Sequence, residues 1–575
     1  MLIALVEIEN FRGIKGLEWS PSSAVNCLIG PGDSTKTTII DAIELALNPR
    51  SYLFADDSDF FDLDIKQPIK VTVTLTDLPS VFLADDRYGL HLRGWNAKDS
   101  KLRDEPGDGL EEALSVRVTI DESLEARWQL FNERIDSDDS DPPGLRYKDA
   151  QQITTTRLGP YAERHLGWGR QSVLARISDA AENVNLQLAE ASRAARDAFR
   201  QNNADVFKGT VERAQELGKQ FSVPVRDKFA AELDVQGVNI TAGGISLHDA
   251  KLPLRRLGTG SSRLIVSALQ HDAGVSHIAL IDEIEHGLEP HRIARLLKFL
   301  KTADEGSPLP QVFMTTHSPV VIRELQAADI FAVRSEKGTT TVKSVATTAK
   351  DIDTAQRHLR RTPEAFLARR VIVGEGRTEL GLLRGFDALW SDQDFASFAL
   401  RGVIPINGEG NPNAPMIAEH LLELGYSIFC LLDTDEEPHP EIIASVEAKG
   451  GSVHLWPDKC STEERIFLDV PWETVQALVK FADESVGSDN VMQNINNVCE
   501  ARGLTKIQDL SLPHALDDDG FRRALGLAAK KKNNPWFKDI DRGERLATII
   551  APCLPNIPDK PFAKAVTELR QWVDG

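Results

Sequence analysis

Two apolar runs, each ending in carboxylates, constrain this chain more than any other feature. In VIVGEGRTELGLL, residues 371–383, Val371, Ile372 and Val373 read as a short buried strand. Gly374 and Gly376 bracket Glu375 in a turn, and Arg377-Thr378-Glu379 opens a helical pattern. Farther on, SIFCLLDTDEE repeats the arrangement, with an apolar strand from Ile428 to Leu432 ending in Asp433-Thr434-Asp435. Strand alternation turns Asp433 and Asp435 to the same side. Open α/β sheets place their ligands outside the C-terminal ends of their strands, so acids at two such ends gather along one edge. Several carboxylates together are hard oxygen donors suited to Mg²⁺ or Mn²⁺.

The N-terminal stretch calls for another α/β layer. LIALVEIENF alternates, and AVNCLIG is a buried strand entering Gly30-Pro31-Gly32-Asp33-Ser34-Thr35-Lys36-Thr37-Thr38. IIDAIELAL then has helical spacing and stops at Asn48-Pro49. A strand, a Gly-rich loop ending in Lys-Thr and a helix make a phosphate-binding context. Backbone N–H groups and the helix dipole hold phosphate, Lys36 reaches the outer phosphates and the Thr37 hydroxyl suits Mg²⁺. Gly30, Gly32, Ser34, Lys36, Thr37 and Thr38 are the expected nucleotide contacts. Thr35 stands immediately before the lysine, where such loops carry Gly. A β-branched residue is penalised there if the backbone needs positive φ, which favours nucleotide binding over hydrolysis.

Residues 50–165 hold the alternating strands KVTVTLTDL, SVRVTID and RWQLFNE, with an acidic solvated linker at 136–144. Residues 172–235 read as helical, with Ser178 as a candidate N-cap. Residues 236–350 return to α/β. Gly258-Thr259-Gly260-Ser261-Ser262 precedes an amphipathic helix, the strand Ile278 to Ile281 ends in Asp282 and Glu283, and PQVFMTTHSP ends a strand at His317. A strand-end Asp-Glu suits Mg²⁺ binding and activation of water; a strand-end histidine suits contact with a γ-phosphate.

At 575 residues the chain is too long for one core, and length suggests roughly three or four domains. No apolar run approaches the ~20 residues of a membrane span, and no signal core is recognised at the N-terminus. The five cysteines, Cys27, Cys430, Cys460, Cys499 and Cys553, form no CxxC pair. That pattern argues against zinc and disulfides and fits a cytoplasmic location. A net charge of −21 is not that of a protein coating itself in nucleic acid, though a cation-loaded site needs only a local basic surface.

The pair of acidic motifs resembles the Toprim fold of topoisomerases, primases and related nucleases. The N-terminal set resembles ABC-type ATPases of the SMC group. That resemblance makes Gly30 to Thr38 the Walker A loop, Leu257 to Ser262 the signature loop with Gly258, Gly260 and Ser261, Asp282 and Glu283 the Walker B pair, Glu285 to Pro290 the D-loop and His317 the switch histidine. An ABC-type ATPase followed by Toprim resembles the OLD (overcoming lysogenization defect) nuclease family, whose relatives include the Gabija nuclease subunit and retron-associated effectors. The expected fold is α/β: an ABC-type ATPase head over 1–168 and 236–350, a helical insertion for dimerisation at 169–235, a connector at 351–369, and a Rossmann-like Toprim domain with a helical C-terminal extension over 370–575.

The resemblance implies a nuclease site in which Glu375, Glu379, Asp433, Asp435 and Glu464 hold Mg²⁺ or Mn²⁺, two ions in all. Glu463 competes with Glu464 for the last place, and Gly374 replaces the residue the family pattern carries before Glu375. GVIPINGEGN (402–411) matches the Gly-bearing strand–loop between the two acidic motifs. Of the cluster Lys530, Lys531, Lys532 and Lys538, the resemblance favours Lys538 and Lys532 for neutralising charge on the scissile phosphate. ATP with Mg²⁺, held in part by Thr37 and Asp282, is the expected cofactor of the head. The implied activity is an ATP-regulated, metal-dependent DNA endonuclease or nickase in antiphage defence. DNA, a second copy of the chain (dimer or tetramer) and a defence partner such as a reverse transcriptase with its DNA, or a helicase, are the implied partners. The rival readings are an SMC-like DNA-associated ATPase scaffold and a nuclease active only within a partner complex.

Overall fold

The computed structural model describes residues 1–48, 55–134, 144–159, 162–169, 172–177, 184–202, 206–221, 223, 228–233, 244–272, 277–302, 309–348, 350–393, 395–436 and 439–575. The acidic linker, but for Gly144, and Ser178 lie outside them. The chain divides into two compact units: Met1–Phe11, Ser20–Val25 and Ile40–Thr315 form one, and Arg12–Trp19, Asn26–Ile39 and Thr316–Gly575 the other. Residues 316–350 and the phosphate loop thus group with the C-terminal residues, a division that differs from the one expected at the 351–369 connector.

In the first unit, alternation builds an antiparallel layer. Leu2–Phe11 pairs with Ile69–Thr76, which pairs with Glu111–Ile120, and that strand pairs with both Arg93–Asn96 and Ala126–Phe131. Three parallel strands follow in the order Thr156–Leu158, Ile278–Ile281, Gln311–Thr315. Their covering helix Pro290–Leu300 buries Ile293, Leu296, Leu297 and Leu300, the i, i+3, i+4, i+7 stripe of a helix packed on one face. Helices Val173–Ile177, Asn185–Asn202 and Lys208–Gln220 occupy the stretch expected to be helical.

In the second unit, Val25–Ile29 (from Asn26 on) runs parallel to Ile330–Glu336, which pairs antiparallel with Thr339–Ser344. A separate four-stranded parallel sheet has the order Val403–Asn407, Arg370–Gly374, Ser427–Leu432, Ser452–Leu455. Its first strand in the chain is central, with the second strand on one side and the third on the other. The chain therefore reverses its direction of winding between Arg370–Gly374 and Ser427–Leu432. That is the switch point at which such sheets open a crevice beyond their C-terminal ends.

Helices Thr462–Asp469, Trp472–Val486, Ser488–Arg502, Asp519–Ala529, Ile540–Ile550 and Pro561–Asp574 complete this unit. Their core holds Phe386, Trp456, Phe467, Trp472, Trp536, Phe537 and Phe562. The tryptophans there are core residues, as their size favours. Helix Arg377–Asp392 crosses Ile540–Ile550 through glycines: a Cβ on Gly381 would lie 2.4 Å from the Ile540 carbonyl oxygen, and one on Gly543 2.7 Å from the Gly381 Cα. Among the described residues no helix is long and apolar enough to cross a membrane. All five cysteines are buried and free.

Because those backbones touch, Gly381→Val should destabilise the second unit by about 1–3 kcal/mol or more, read as a lowered thermal midpoint. An unchanged midpoint would mean that the helix pair is not packed this way.

Candidate active site and nucleotide loop

The acidic edge forms at the switch point. Glu375 follows the central strand directly, and its Oε2 accepts the Asp433 backbone N–H at 2.9 Å. The two strand ends are therefore adjacent. Glu379 lies in the first turn of the next helix, and its Oε2 accepts the Gly376 N–H at 2.7 Å. Gly374 has a local reason: a Cβ there would stand 2.9 Å from the Glu379 Cβ. The expected strand–loop at 402–411 closes over the same turn, with Gly408 N–H donating to the Gly374 carbonyl at 2.7 Å and Gly410 N–H to that of Glu375 at 2.8 Å.

Helix Thr462–Asp469 supplies the other wall. Thr462 donates both its backbone N–H and its hydroxyl to Asp433 Oδ1, each at 2.9 Å. Glu463, buried, accepts the Thr378 hydroxyl at 2.9 Å. Ser461 and Glu464 form a capping box, each side chain accepting the other's backbone N–H at 3.3 Å. Glu464, favoured in sequence, is thus occupied at the helix start and faces Lys530, whereas Glu463 is the one whose charge acts on Asp433 and Glu375.

The structure brings a different lysine of the cluster to the acids. Lys532 and Lys538 are exposed, and it is Lys530 whose Nζ donates to Asp435 Oδ2 at 2.6 Å and Glu464 Oε2 at 2.8 Å. Lys530 caps the C-terminal end of helix Asp519–Ala529, a helix packed so closely on the acidic wall that a Cβ on Gly526 would lie 2.4 Å from the Glu464 Cα. Lys532 and Lys538 lie beyond that contact. A helix-end reading of the AAKKK run would have singled out its first lysine. Thr378 and Thr462 carried no sequence signal beyond their place beside glutamates.

Burial dominates the electrostatics. It pushes the carboxyls of Glu375 and Glu379 up and that of Asp433 well above the ordinary range. Glu463 is pushed up to about 7, by burial first and then by the Glu379 charge. Mutual repulsion among Glu375, Glu379, Asp433 and Glu463 adds to these shifts. Among the described residues no three His, Cys, Asp or Glu side chains stand close enough to form a ready-made metal site. Each acid is instead held by a backbone N–H or a threonine hydroxyl. The donor chemistry fits a hard divalent cation, which would relieve the repulsion; bringing the oxygens together requires side-chain rotation.

The expected nucleotide-binding residues fall in both units. In the second, Gly30 sits at φ +146 with no room for a Cβ, the Val333 carbonyl oxygen lying 2.6 Å from where one would be. Lys36 Nζ donates to the Gly30 and Pro31 carbonyls at 3.1 and 2.7 Å and to Ser34 Oγ at 3.1 Å. Gly32 and Thr37 are exposed, Thr38 is half-buried in the first helical turn, and His317 is exposed after its strand. Thr35 takes φ +65 and Asp33 φ +59, the left-handed region that a β-branched residue resists. The Thr35 hydroxyl donates to the Ser34 carbonyl at 2.6 Å and meets Thr340 Oγ1 at 3.2 Å.

In the first unit, Asp282 Oδ1 accepts the Thr315 hydroxyl at 2.6 Å, and Glu283, at φ +46, donates its N–H to Thr315 Oγ1 at 2.8 Å. Buried Arg263 binds the carbonyls of Asp282 and Glu283, both at 2.9 Å. Gly258 precedes helix Thr259–Asp272. A Cβ on Gly260 would lie 2.1 Å from the Gly287 carbonyl oxygen, and Ser261 Oγ accepts from Arg292 at 3.2 Å. The expected signature and D-loop stretches therefore touch through glycine.

Residues 25–323 match the family described as "AAA domain, putative AbiEii toxin, Type IV TA system", a span of just over half the chain. The chain belongs to this AAA domain family. The match contains the phosphate loop, Asp282, Glu283 and His317, so the nucleotide-binding part of the expectation stands as an AAA-type ATPase domain; residues 324–575 lie beyond it. No curated protein matches the AAA chain. Similar solved structures include an Smc head domain with an extended coiled coil bound to the C-terminal domain of ScpA, from Pyrococcus furiosus (14% identity, 59% of this chain and 95% of that one, TM-score 0.34). An SMC head domain from Thermotoga maritima gives 16% identity, 60% and 99% coverage and a TM-score of 0.28. The recombination mediator RecF with ATP gives 12% identity, 59% and 98% coverage and a TM-score of 0.33.

A raised carboxyl pKa means that the folded state holds a proton the unfolded chain has lost, so this contribution is present below the ordinary 4.5 and is lost as pH rises through about 7. Glu463→Gln should therefore flatten the fall in stability across that window and gain on the order of 1–3 kcal/mol at pH 8, measured by denaturant melts at several pH values. Thr35→Gly removes a side chain from a left-handed position that costs about 1–2 kcal/mol. ATP turnover, read by phosphate release, should rise about tenfold; unchanged turnover would clear Thr35 of limiting it.

Proposed function

We propose that this AAA chain is a metal-dependent DNA endonuclease or nickase of the OLD type, regulated by ATP at its AAA domain and serving as an antiphage effector. The observation that supports it most is the convergence of Glu375, Glu379, Asp433 and Glu463 at a parallel-sheet switch point, tied by the Glu375–Asp433 hydrogen bond and with every carboxyl pushed up, by burial first and by neighbouring acids after it. A purely structural cluster of buried like charges only costs stability; retained at a ligand-binding crevice, it is a functional arrangement.

Glu375, Glu379, Asp433 and Glu463 would hold divalent cations, with Asp435 and Glu464 beside them. Mg²⁺ or Mn²⁺ there would supply Lewis-acid charge to the attacking and leaving oxygens of a phosphodiester. The chain's own groups prepare the place. Thr462 fixes Asp433 with two hydrogen bonds, the Asp433 N–H fixes Glu375, and Thr378 fixes Glu463. Lys530 brings one positive charge to the outer acids Asp435 and Glu464, placed to offset charge on a bound phosphate. A head-to-head dimer completing each ATP site belongs to this reading, as does a defence partner that triggers cutting.

One observation favours a second reading, a DNA-associated ATPase scaffold whose acids are structural: among the described residues no preformed group of metal ligands is present. Supercoiled-plasmid cleavage with Mg²⁺ or Mn²⁺, with and without ATP, separates the two. The nuclease reading expects nicking by the wild type, its loss in chelator, and a drop on the order of a hundredfold or more in Asp433→Asn. Lys36→Ala should change the ATP response and leave the metal requirement intact. No nicking under any nucleotide condition, together with ATP-dependent DNA association untouched by Glu375→Ala, would establish the scaffold instead.

A further inference from the structure

Within the second unit, the tip of the phosphate loop opens onto a cavity of about 1440 Å³ whose lining includes Pro31, Gly32, Arg361, Arg369, Arg384 and Glu409. Its four arginines all meet carboxylates: Arg369 lies 3.9 Å from Asp33, Arg361 pairs with Glu409, Arg384 sits 2.7 Å from Glu544 and Arg545 2.8 Å from Glu484. Of these, Arg369 is the one paired with the phosphate loop itself. Asp33 is an unusual residue for that loop. It occupies a left-handed position at φ +59 that glycine would take without cost, its side chain is 97% exposed, and its charge repels any phosphate bound beside it. An exposed ion pair of this kind is weak and easily exchanged.

Arg369 also has a second attachment. Its backbone N–H and that of Arg370 both donate to the Gly402 carbonyl, at 3.0 and 3.1 Å. The next five residues, Arg370–Gly374, are the central strand whose end carries Glu375. The guanidinium that meets the phosphate loop and the carboxylate that begins the acidic edge are therefore joined by one short, fully hydrogen-bonded strand.

We propose that Arg369 is a nucleotide-sensing residue: the phosphates of a nucleoside triphosphate seated on Gly30–Thr38 draw its guanidinium away from Asp33, and the Arg370–Gly374 strand carries the change to Glu375. Arginine suits the exchange because its planar fork binds carboxylate and phosphate in the same two-point geometry. The proposal rests on the reading of the loop as the ATP site and of Glu375 as part of the nuclease centre, and it names how the first acts on the second.

The test uses the full chain with Mg²⁺-ATP as the ligand and requires no cutting activity. Isothermal titration should show about tenfold weaker ATP binding by Arg369→Ala, a smaller loss in Arg369→Lys, and tighter binding by Asp33→Asn. Hydrogen–deuterium exchange should show ATP altering protection across residues 370–376 in the wild type, and no alteration there in Arg369→Ala. Arg369 is 61% exposed, so the variants should fold, which their melting curves check. Wild-type affinity in Arg369→Ala, or an ATP response at 370–376 that survives the substitution, would overturn the proposal. Failure of plasmid nicking alone would count against the nuclease reading and leave these measurements intact.

Discussion

Carboxylates withdrawn from water at one sheet edge must take up protons or be matched by cations, and the second unit is arranged around that requirement. Desolvation disfavours the charged forms of Glu375, Glu379, Asp433 and Glu463, and their closeness adds repulsion. Backbone N–H groups and threonine hydroxyls offset part of this cost, and Lys530 a little more. They leave carboxyls that hold their protons to higher pH than free ones do, Glu463 to about 7. If a divalent cation is taken up there, as proposed, its binding would release protons, and the occupancy of the site would depend on pH.

Much of this edge was legible from the chain. A strand period of two and the placement of acids at strand ends sufficed to bring Glu375 and Asp433 together, because parallel-sheet topology leaves few other arrangements. Glu379 came from the Toprim resemblance, within the helical pattern that opens after Gly376. What could not be read was which of two buried neighbours on a helix faces the other acids. Glu463 and Glu464 are adjacent, and the choice between them is made by the capping box that engages Glu464 with Ser461, a pattern present in the sequence but competing there with a metal role. The lysines differ for a similar reason: Lys530 is the C-cap of a helix held against the acidic wall by Gly526, a tertiary contact that leaves no periodic trace. The division into units was hidden too, since it cuts across the N-terminal strands.

The phosphate loop shows strain where a permissive residue would serve. Thr35 and Asp33 both adopt left-handed backbone, and Thr35 is tied to Thr340 on a neighbouring strand. Backbone strain of this kind persists where surrounding structure over-determines it, and it gathers at functional sites. A loop built this way suits a domain that responds to nucleotide occupancy more than one that turns over rapidly. The Arg369 contact then gives occupancy a route to the acidic edge.

The account stands on divalent cations occupying that edge, and anomalous scattering from crystals grown with Mn²⁺ addresses this directly. The expected map has manganese peaks ligated by oxygens of Glu375, Asp433 and at least one of Glu379 and Glu463, with Asp433→Asn removing them. A map with no manganese among these four residues at millimolar Mn²⁺ and pH 8 would contradict it.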